Sequence, residues 1–565
     1  MRPAASSARH CAWPSNQTLS LQNGGLAHTR ACRTMAYESD QSRPLRPLHV
    51  LSADAAPMTC CLARIMLRLP PCAAVSASRS RTLRCSALAA AAPKKDYRRN
   101  GAGGGVSAES LIPARPRSEA EEAGAEVLLA AAAQEGSPRV TLARGKARLF
   151  WGGNPIVFGG AVADVTPGAK TGDAVLVTDH AGAPLGWGTL NTTSMYRVRM
   201  LAGAAEAAAQ PQLALNVDAT VGARVRAATA LRHRLGLPST QTDTYRLLNS
   251  EGDRLSGLVA DVFGPYVVAA CSAAWAEQRR GVIAAQLLAA TPTAKAVLWR
   301  PSAELLKKEG LPEGSAQPCY FTREGGEHAL PTNWSTDGAS DGAGAALPSR
   351  VRVMENGVAY LVSLQSGQKT GSYCDQRENR QRVRAASSGA RVLDLCCYSG
   401  GFSLSAALGG ATSVTGVDSS AAALALATEN AALNHVSAIC QFVQADVMEY
   451  LVEAQTRSKQ SYDVVILDPP KLAPSRDVLA KAAGRYRRLN SLAASLVAPG
   501  GMLLTCTCSG AMTQSGTFAA LAADAAAAVG RHAALLAQAG PAACHVTTPA
   551  YAEGNYLTAC FFGIE

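Results

Sequence analysis

From residue 351 to the C-terminus, short apolar runs alternate regularly with longer helical stretches, and this pattern limits the fold more than any other feature. The runs at 391–395, 413–417, 438–443 and 462–467 have the length and composition of buried strands. Strands that alternate with helices predict an α/β fold, here a doubly wound, Rossmann-like parallel sheet. Sheets of this kind bind ligands at the carboxyl ends of their strands.

Acidic residues follow successive strands of this predicted sheet. Asp418 follows the second strand, Asp446 follows the third after a short turn, and Asp468 closes the fourth. Carboxylates at these positions can accept ribose hydroxyls, so the pattern predicts a nucleoside-cofactor site. Only two glycines stand at the first strand-to-helix turn, which favours S-adenosylmethionine over a dinucleotide because it has no pyrophosphate to hold. The predicted cofactor-binding residues are Asp394, Tyr398, Gly400, Gly401, Phe402, Asp418, Asp446 and Asp468.

Two short segments suggest chemistry beside that site. Asp468-Pro469-Pro470-Lys471 forms a rigid loop that suits the edge of a planar base, although a tight strand-ending turn explains it equally well. Cys508 follows a predicted strand at 502–504, where a deprotonated thiol could act as a nucleophile. Buried structural cysteines are also common in strands. Cys506 shares the same strand face, so spacing alone does not choose between the two cysteines.

The remainder of the chain predicts further units. Glycine-punctuated short runs indicate a small β domain at 139–203, and mixed helices and strands indicate an α+β module at 217–311. A linker with one short helix precedes them at 101–138. A Gly/Ser/Ala/Pro-rich flexible insertion at 312–350 separates the α+β module from the α/β domain at 351–565. No run of eighteen apolar residues predicts a membrane span.

The formal net charge of +12 belongs almost entirely to the N-terminal leader. Residues 1–100 hold 15 Lys and Arg against 4 Asp and Glu, which leaves +1 for the rest of the chain. The leader is rich in Ala, Ser and Arg, as at 73–86, and this composition predicts an organelle transit peptide, chloroplast rather than mitochondrial. A disordered tail or a wrongly joined upstream segment is the alternative. The ten cysteines after the leader lack CxxC pairs and predict neither disulfides nor a metal site.

From residue 140 onward, apart from 312–350, the chain resembles the PUA-domain-containing bacterial 23S rRNA cytosine-C5 methyltransferases. The matching stretches are numerous and occur in the family's order. They include Ala143-Arg144-Gly145, 155–160, 245–247, 251–258, 307–310, 367–371, Asp375-Gln376-Arg377, 398–402, 468–471 and Cys508-Ser509-Gly510. The resemblance implies a PUA-like β-barrel before the methyltransferase domain, S-adenosylmethionine as cofactor and ribosomal RNA as substrate.

The resemblance also implies individual roles. Cys508 would be the nucleophile and Cys506 a bystander, while Asp418 would bind the ribose and Asp446 the adenine end of the cofactor. With Cys508, the catalytic residues would be Asp468, which could hydrogen-bond the base edge, and Lys471, which could stabilise charge or contact phosphate. Segment 369–380 would border the cofactor and RNA entrance. The resemblance does not identify the group that takes the C5 proton.

Binding of RNA by a nearly neutral body requires local positive charge. Basic stretches at 369–384 and 471–488 flank the predicted pocket, and the β domain adds a third cluster. The predicted RNA-binding residues are Arg144, Lys146, Lys369, Arg377, Arg380, Arg485, Arg487 and Arg488. A solvated helix face is the ordinary alternative for such stretches.

Two other functions compete with this interpretation. A methyltransferase for another base, such as guanine N7, would lack the Thr507–Ser509 triplet, which argues against it. A non-catalytic RNA-binding protein for ribosome assembly would not need the acids, the 468–471 loop and the candidate nucleophile all intact. The sequence leaves homodimer formation and the target nucleotide open.

Overall fold

A computed structural model describes residues 115–330, 347–348, 350–364, 367, 370–458 and 461–565. The predicted leader and Lys369 lie outside the described residues. No helix in these ranges is both long and apolar enough to cross a membrane.

The first unit is a six-stranded sheet with the order β2-β6-β5-β4-β1-β3. Its core contains the fully buried side chains of Val140, Val157, Val175 and Val198. Its strands are β1 Arg139–Leu142, β2 Ile156–Phe158, β3 Val162–Val165, β4 Ala174–Thr178, β5 Pro184–Leu190 and β6 Tyr196–Gly203. The accompanying helices are α1 Glu119–Glu135, α2 Arg148–Trp151 and α3 Ala204–Ala209.

The middle unit is a second six-stranded sheet, ordered β12-β11-β10-β9-β8-β7. Its strands are β7 Thr244–Asn249, β8 Leu258–Phe263, β9 Tyr266–Cys271, β10 Ala296–Pro301, β11 Cys319–Thr322 and β12 Glu327–Ala329. Its helices are α4 Val217–Arg234, α5 Ala274–Gln278, α6 Arg280–Ala290 and α7 Ala303–Lys308. A hairpin of β13 Arg350–Glu355 and β14 Val358–Ser363 follows it.

The last unit is a seven-stranded sheet ordered β17-β16-β15-β18-β19-β21-β20, with β21 antiparallel to its neighbours. Because the strand order reverses between β15 and β18, a crevice opens at their carboxyl ends. The strands are β15 Arg391–Leu395, β16 Ser413–Asp418, β17 Cys440–Gln444, β18 Tyr462–Leu467, β19 Val497–Thr507, β20 Ala533–Ala539 and β21 Thr558–Ile564. The helices are α8 Arg377–Ala385, α9 Gly401–Leu408, α10 Ala421–Leu433, α11 Val447–Glu453, α12 Leu479–Ser495, α13 Gly510–Ser515 and α14 Phe518–Ala527.

This architecture confirms the predicted α/β class, with a β domain and an α+β module ahead of the doubly wound sheet. Two predicted boundaries differ from the structure. β11 and β12 lie inside the predicted insertion and extend the middle sheet, because Cys319 and Phe321 bury their side chains in its core. The predicted linker contains α1, which is long, begins with a capping box at Ser118 and buries Leu128 completely.

Candidate active site

A cavity of about 1160 Å³ lies at the carboxyl edge of the last sheet. It is lined by the loops that follow β15, β16, β17, β18 and β19, by α12, by Arg380 of α8, and by the segments that precede α8 and β21. Single-ligand pockets commonly occupy about 300–1,000 Å³, so this cavity is large enough for two ligands side by side. Its lining includes Tyr373, Asp375, Gln376, Arg380, Tyr398, Gly401, Phe402, Asp418, Asp446, Asp468, Lys471, Lys481, Arg485, Arg488, Cys508 and Tyr556.

Asp418 links two of the loops that form one half of the cavity. Its carboxylate accepts hydrogen bonds from the backbone N–H of Tyr398, at 3.0 Å, and of Ser420, at 2.9 Å. Asp446 caps α11 by accepting from the N–H groups of Met448 and Glu449. Both acids also line the cavity. They therefore stabilise the local backbone and also lie where the sequence predicted the cofactor site.

The turn between β15 and α9 has an unusual backbone. Tyr398 has a φ of 50° and Gly400 a φ of 83°, in the left-handed region that favours glycine. A Cβ on Gly401 would stand 2.6 Å from Nε of Arg380, so any larger residue at the start of α9 would displace that guanidinium. Phe402 follows within α9 and lies beneath the Arg380 guanidinium, whose Cζ is 5.8 Å from the ring centroid.

Asp394 lies beneath the cavity rather than in its lining. Its side chain is fully buried and accepts hydrogen bonds from Ser403, at 2.9 Å from the backbone N and 2.6 Å from Oγ. Burial raises the pKa of Asp394 to about 7. Asp394 therefore fixes the first turn of α9. The sequence predicted that it would contact the cofactor, but it does not line the cavity. Gly400 is likewise buried and shapes the turn from within.

The two candidate cysteines occupy different environments. Cys506 is fully buried within β19, and burial raises the pKa of its thiol well above the usual range. Cys508 comes directly after β19, is half-buried and lines the cavity, with Sγ 3.9 Å from the carbonyl oxygen of Pro469. Spacing left these residues equivalent, whereas the structure brings only Cys508 to the cavity beside the 468–471 loop.

Tyr486 positions the Cys508 loop, and the sequence analysis missed it. Its hydroxyl lies 2.7 Å from Oγ1 of Thr507 and 3.0 Å from Oγ of Ser509. Ser509 Oγ also accepts from the backbone N of Ala473, at 3.0 Å, which ties this loop to the one after β18. Tyr486 is fully buried on the inner face of α12. The sequence could have indicated this role, because Tyr486 is an aromatic residue within an otherwise basic stretch.

The segment before α8 supplies polar groups that face the same space. Gln376 donates from Nε2 to Oδ2 of Asp468 at 3.1 Å, and the Tyr556 hydroxyl donates to Oδ2 of Asp375 at 2.8 Å. The rings of Tyr373 and Tyr398 meet edge to face, with centroids 5.4 Å apart. These contacts bring the segment before α8 to the cavity, where Asp375 adds a further carboxylate to the lining.

The predicted RNA-binding cations fall into separate groups. Arg377 and Arg380 are buried, because Arg377 contacts Glu378 and the thiol of Cys544 while Arg380 pairs with Glu355. The structure therefore corrects the prediction for Arg377, which lies outside the cavity lining. The charge of Arg377 is used inside the fold, whereas Arg380 is buried but still lines the cavity.

Helix α12 carries the cations that do reach the cavity. Lys481, Arg485 and Arg488 lie at positions i, i+4 and i+7, so they share one helix face, and all three line the cavity. Arg487 points elsewhere and pairs with Asp524 at 2.8 Å. The structure also places the third cluster on the loop after β1, where Arg144 is exposed and Lys146 is half-buried. Lys471 is exposed at the cavity rim.

The chain is similar to known methyltransferases in sequence. Residues 301–537 match the family model of S-adenosylmethionine-dependent methyltransferases, and residues 140–202 match a PUA-like domain. The chain is 33% identical over 419 residues to ribosomal RNA large subunit methyltransferase I of Erwinia tasmaniensis, covering 74% of this chain and 97% of that protein. The chain belongs to this methyltransferase family. The Salmonella enteritidis protein of the same name is also 33% identical, over 422 residues that cover 74% and 96% of the two chains.

Two solved methyltransferase structures have the same fold as this chain. A methyltransferase solved in complex with SAH aligns with a TM-score of 0.60 at 20% identity, over 75% of this chain and 99% of the other. A SAM-dependent methyltransferase from Streptococcus mutans aligns with a TM-score of 0.58 at 20% identity, over the same shares of the two chains. At this identity the likeness concerns the fold alone.

The cavity of this family member fits S-adenosylmethionine. Asp418 and Asp446 stand at neighbouring strand ends, as a nucleoside requires, and Gly401 at the start of α9 also lines the cavity. In the described ranges, no group of three or more His, Cys, Asp and Glu side chains is arranged to hold a metal ion.

Proposed function

We propose that this protein methylates C5 of a cytosine in large-subunit ribosomal RNA through a covalent adduct with Cys508. The observation that carries the proposal is the position of the Cys508 thiol, which lines the cofactor cavity beside the 468–471 loop while Cys506 is buried in β19. The substrate class follows from the family, whose members named above act on ribosomal RNA of the large subunit.

C5 of cytosine is a poor nucleophile, and addition of the Cys508 thiolate to the ring would make it reactive toward a methyl donor. When the Cys508 thiolate adds to C6, an S–C6 bond forms and the electron pair of the C5–C6 double bond moves to C5. S-adenosylmethionine, when bound, would supply the methyl group, which C5 would take as the S–CH3 bond breaks and S-adenosylhomocysteine is left. Loss of the C5 proton to a base then restores the double bond and expels the thiolate, so one hard step becomes two easier ones.

Neighbouring groups are arranged to support this chemistry. Asp468 lines the cavity and is oriented by Gln376, so its carboxylate is placed to hydrogen-bond the edge of the base. Lys471 stands on the same loop as Pro469, whose carbonyl oxygen contacts Cys508, and its positive charge favours the thiolate. Tyr486 holds the Cys508 loop in place through Thr507 and Ser509.

RNA would reach the cavity along α12. Lys481, Arg485 and Arg488 form a positive face that borders the cavity, and phosphate contacts there would set the register of the target base without reading its sequence. The PUA-like domain would add a second RNA contact through Arg144 and Lys146 on the loop after β1.

The leader supports a proposal for the compartment, which is the chloroplast, with the mitochondrion as the alternative. Its basic, Ala- and Ser-rich composition is typical of transit peptides. Residues 1–100 fused to a fluorescent protein should direct it to plastids. A fusion that stays in the cytosol would remove the organellar part of the proposal.

The catalytic proposal is tested by comparing wild type with Cys508→Ala and Cys506→Ala. Each protein is incubated with large-subunit ribosomal RNA and methyl-labelled S-adenosylmethionine, and the modified nucleoside is identified by mass spectrometry. We expect 5-methylcytosine from wild type and Cys506→Ala, and none from Cys508→Ala although it still binds S-adenosylhomocysteine. A different methylated base, or full activity of Cys508→Ala, would overturn the cytosine assignment. A wild type that binds RNA without methylating it would favour an assembly role.

A further inference from the structure

Arg300 is a half-buried cation at the end of β10, in the middle unit. Its Nη1 and Nη2 atoms donate only to the carbonyl oxygen of Gly367, both at the long distance of 3.4 Å. Burial lowers the pKa of Arg300, and no acidic side chain in the described part of the chain pairs with it. A partly desolvated charge without a counterion is costly, so this position favours an anion that the fold itself does not supply.

Other arginines of the middle unit are compensated within the fold. Arg232 pairs with Asp253 at 2.6 Å, and Arg246 pairs with Asp261 at 2.7 Å. Arg323, which is half-buried, donates to three backbone carbonyl oxygens at distances of 2.6 to 2.9 Å. Among the residues that the structure describes, the guanidinium at the end of β10 has neither a carboxylate nor a short contact of this kind.

The side chain of Arg300 lies on the face of the middle sheet that packs against the last unit. Residues two apart along a strand share a face, so Arg300 lies on the same side as Leu298, which is buried in the core shared with the last sheet. Ala270, the register partner of Arg300, and Val259, the next residue across the sheet, are only half-buried. Arg300, Ala270 and Val259 therefore form a partly exposed ledge at the margin of that core, which we call the β10 ledge.

The β10 ledge adjoins the chain segment that leads into the active-site cavity. Gly367, whose carbonyl oxygen meets Arg300, begins this segment, and Thr370 anchors it to the same sheet through a hydrogen bond to the buried carboxylate of Asp261. Ser372, five residues after Gly367, lines the cavity. Five residues span at most about 18 Å of extended chain. An RNA strand whose target base enters the cavity could therefore reach the ledge within a few nucleotides.

We propose that the β10 ledge binds the backbone of the RNA strand beside the target nucleotide, with Arg300 contacting a phosphate. A guanidinium presents a fixed fork of donors that matches phosphate oxygens. The apolar side chains of Ala270 and Val259 offer a surface against which a ribose can pack. Such a contact would position the strand without reading its sequence. The inference rests on the proposed RNA substrate, and it does not depend on which base is methylated.

The test measures the affinity for large-subunit ribosomal RNA over a range of salt concentrations. Arg300→Met is compared with wild type and with Lys295→Met. Lys295 is exposed and directly precedes β10, at the strand end opposite Arg300, so its replacement removes the same charge away from the ledge. Each phosphate contact to single-stranded RNA contributes about 0.7 to the slope of log affinity against log salt. Arg300→Met should reduce the slope by about that amount and bind RNA roughly 3- to 10-fold more weakly at low salt.

The control variant and the cofactor product distinguish the other outcomes. Lys295→Met should keep the wild-type slope, and an equal reduction in both variants would overturn the proposal, because it would show only an effect of net charge. If Arg300 merely supports Gly367, Arg300→Met should weaken binding of S-adenosylhomocysteine and leave the salt slope unchanged, which would also overturn it. A reduced slope in Arg300→Met, with a wild type that methylates another base, would support the ledge and refute only the cytosine proposal.

A measurement on the wild-type protein keeps the test decisive if Arg300→Met does not fold. Large-subunit ribosomal RNA that contains 4-thiouridine is bound to the protein and crosslinked with ultraviolet light, and the crosslinked peptides are identified by mass spectrometry. We expect crosslinks in the peptide that contains β10, because the RNA backbone would run over its end. Crosslinks elsewhere in the protein, with none in β9 or β10, would refute the proposal.

Discussion

Replacing Gly484 by alanine should stabilise the fold and at the same time slow the methylation of RNA. It lies in the interior of α12, is exposed, and lines the cavity on the face that carries Lys481, Arg485 and Arg488. A Cβ built on it meets no atom within 4 Å, so internal packing does not require glycine here. Glycine inside a helix costs about 1 kcal/mol relative to alanine. Gly484→Ala should therefore raise the free energy of unfolding by about 0.5–1 kcal/mol.

The cost should appear in catalysis if RNA runs along this face. A methyl group between the basic side chains would hold the RNA backbone away from them, and loss of about 1.4 kcal/mol of contact energy corresponds to a tenfold lower kcat/KM for RNA. The affinity for S-adenosylhomocysteine should not change. The assays are urea unfolding, steady-state methylation of ribosomal RNA and calorimetry.

A matched control separates helix stability from the surface effect. Ala480→Gly, at an exposed position in the first turn of the same helix, should lower the free energy of unfolding by less than about 1 kcal/mol and leave kcat/KM for RNA near the wild-type value. If Gly484→Ala is stabilised but methylates RNA normally, RNA does not approach this face. If it is destabilised, the reasoning from helix propensity is refuted.

Three further changes test other parts of the molecule. Glu309→Ala should lower the free energy of unfolding by about 3–5 kcal/mol in urea titrations, because it leaves the buried Arg199 guanidinium without its carboxylate partner; a loss under about 1 kcal/mol would contradict this. The pKa of Asp394 is raised from 3.8 to about 7, so the folded state holds its proton more tightly and stability should fall as pH rises from about 4 to about 7. Asp394→Asn should show a smaller fall over that range, and parallel pH profiles would refute the assignment. Tyr486→Phe should lower kcat, with unchanged affinity for S-adenosylhomocysteine, because it frees the Cys508 loop; an unchanged kcat would mean that these hydrogen bonds do not position the thiol.

The strands that carry the site could be predicted from the sequence. Arg391–Leu395 and Tyr462–Leu467 have the predicted bounds, because short and mainly apolar runs between polar turns leave little freedom in a parallel sheet. The acids at 418, 446 and 468 also reach the cavity, since each lies at or just after the carboxyl end of its own strand.

Long-range contacts explain what the sequence did not reveal. The segment around Arg377 and Arg380 looks like a solvated basic helix, yet its burial depends on Glu355 in the preceding hairpin and on Cys544 near the C-terminus. Asp394 resembles the other strand-end acids, but it lies inside its strand and turns under α9. No local pattern encodes such partners.

The covalent adduct at Cys508 is the central claim, and trapping it is the most direct test. Ribosomal RNA containing 5-fluorocytidine at the target position has no C5 proton to lose, so the thiolate cannot leave after methylation. Incubation with S-adenosylmethionine should give an RNA–protein adduct that resists denaturation, and peptide mapping by mass spectrometry should place it on Cys508. An adduct on another residue, or none although unmodified RNA is methylated to 5-methylcytosine, would contradict the account.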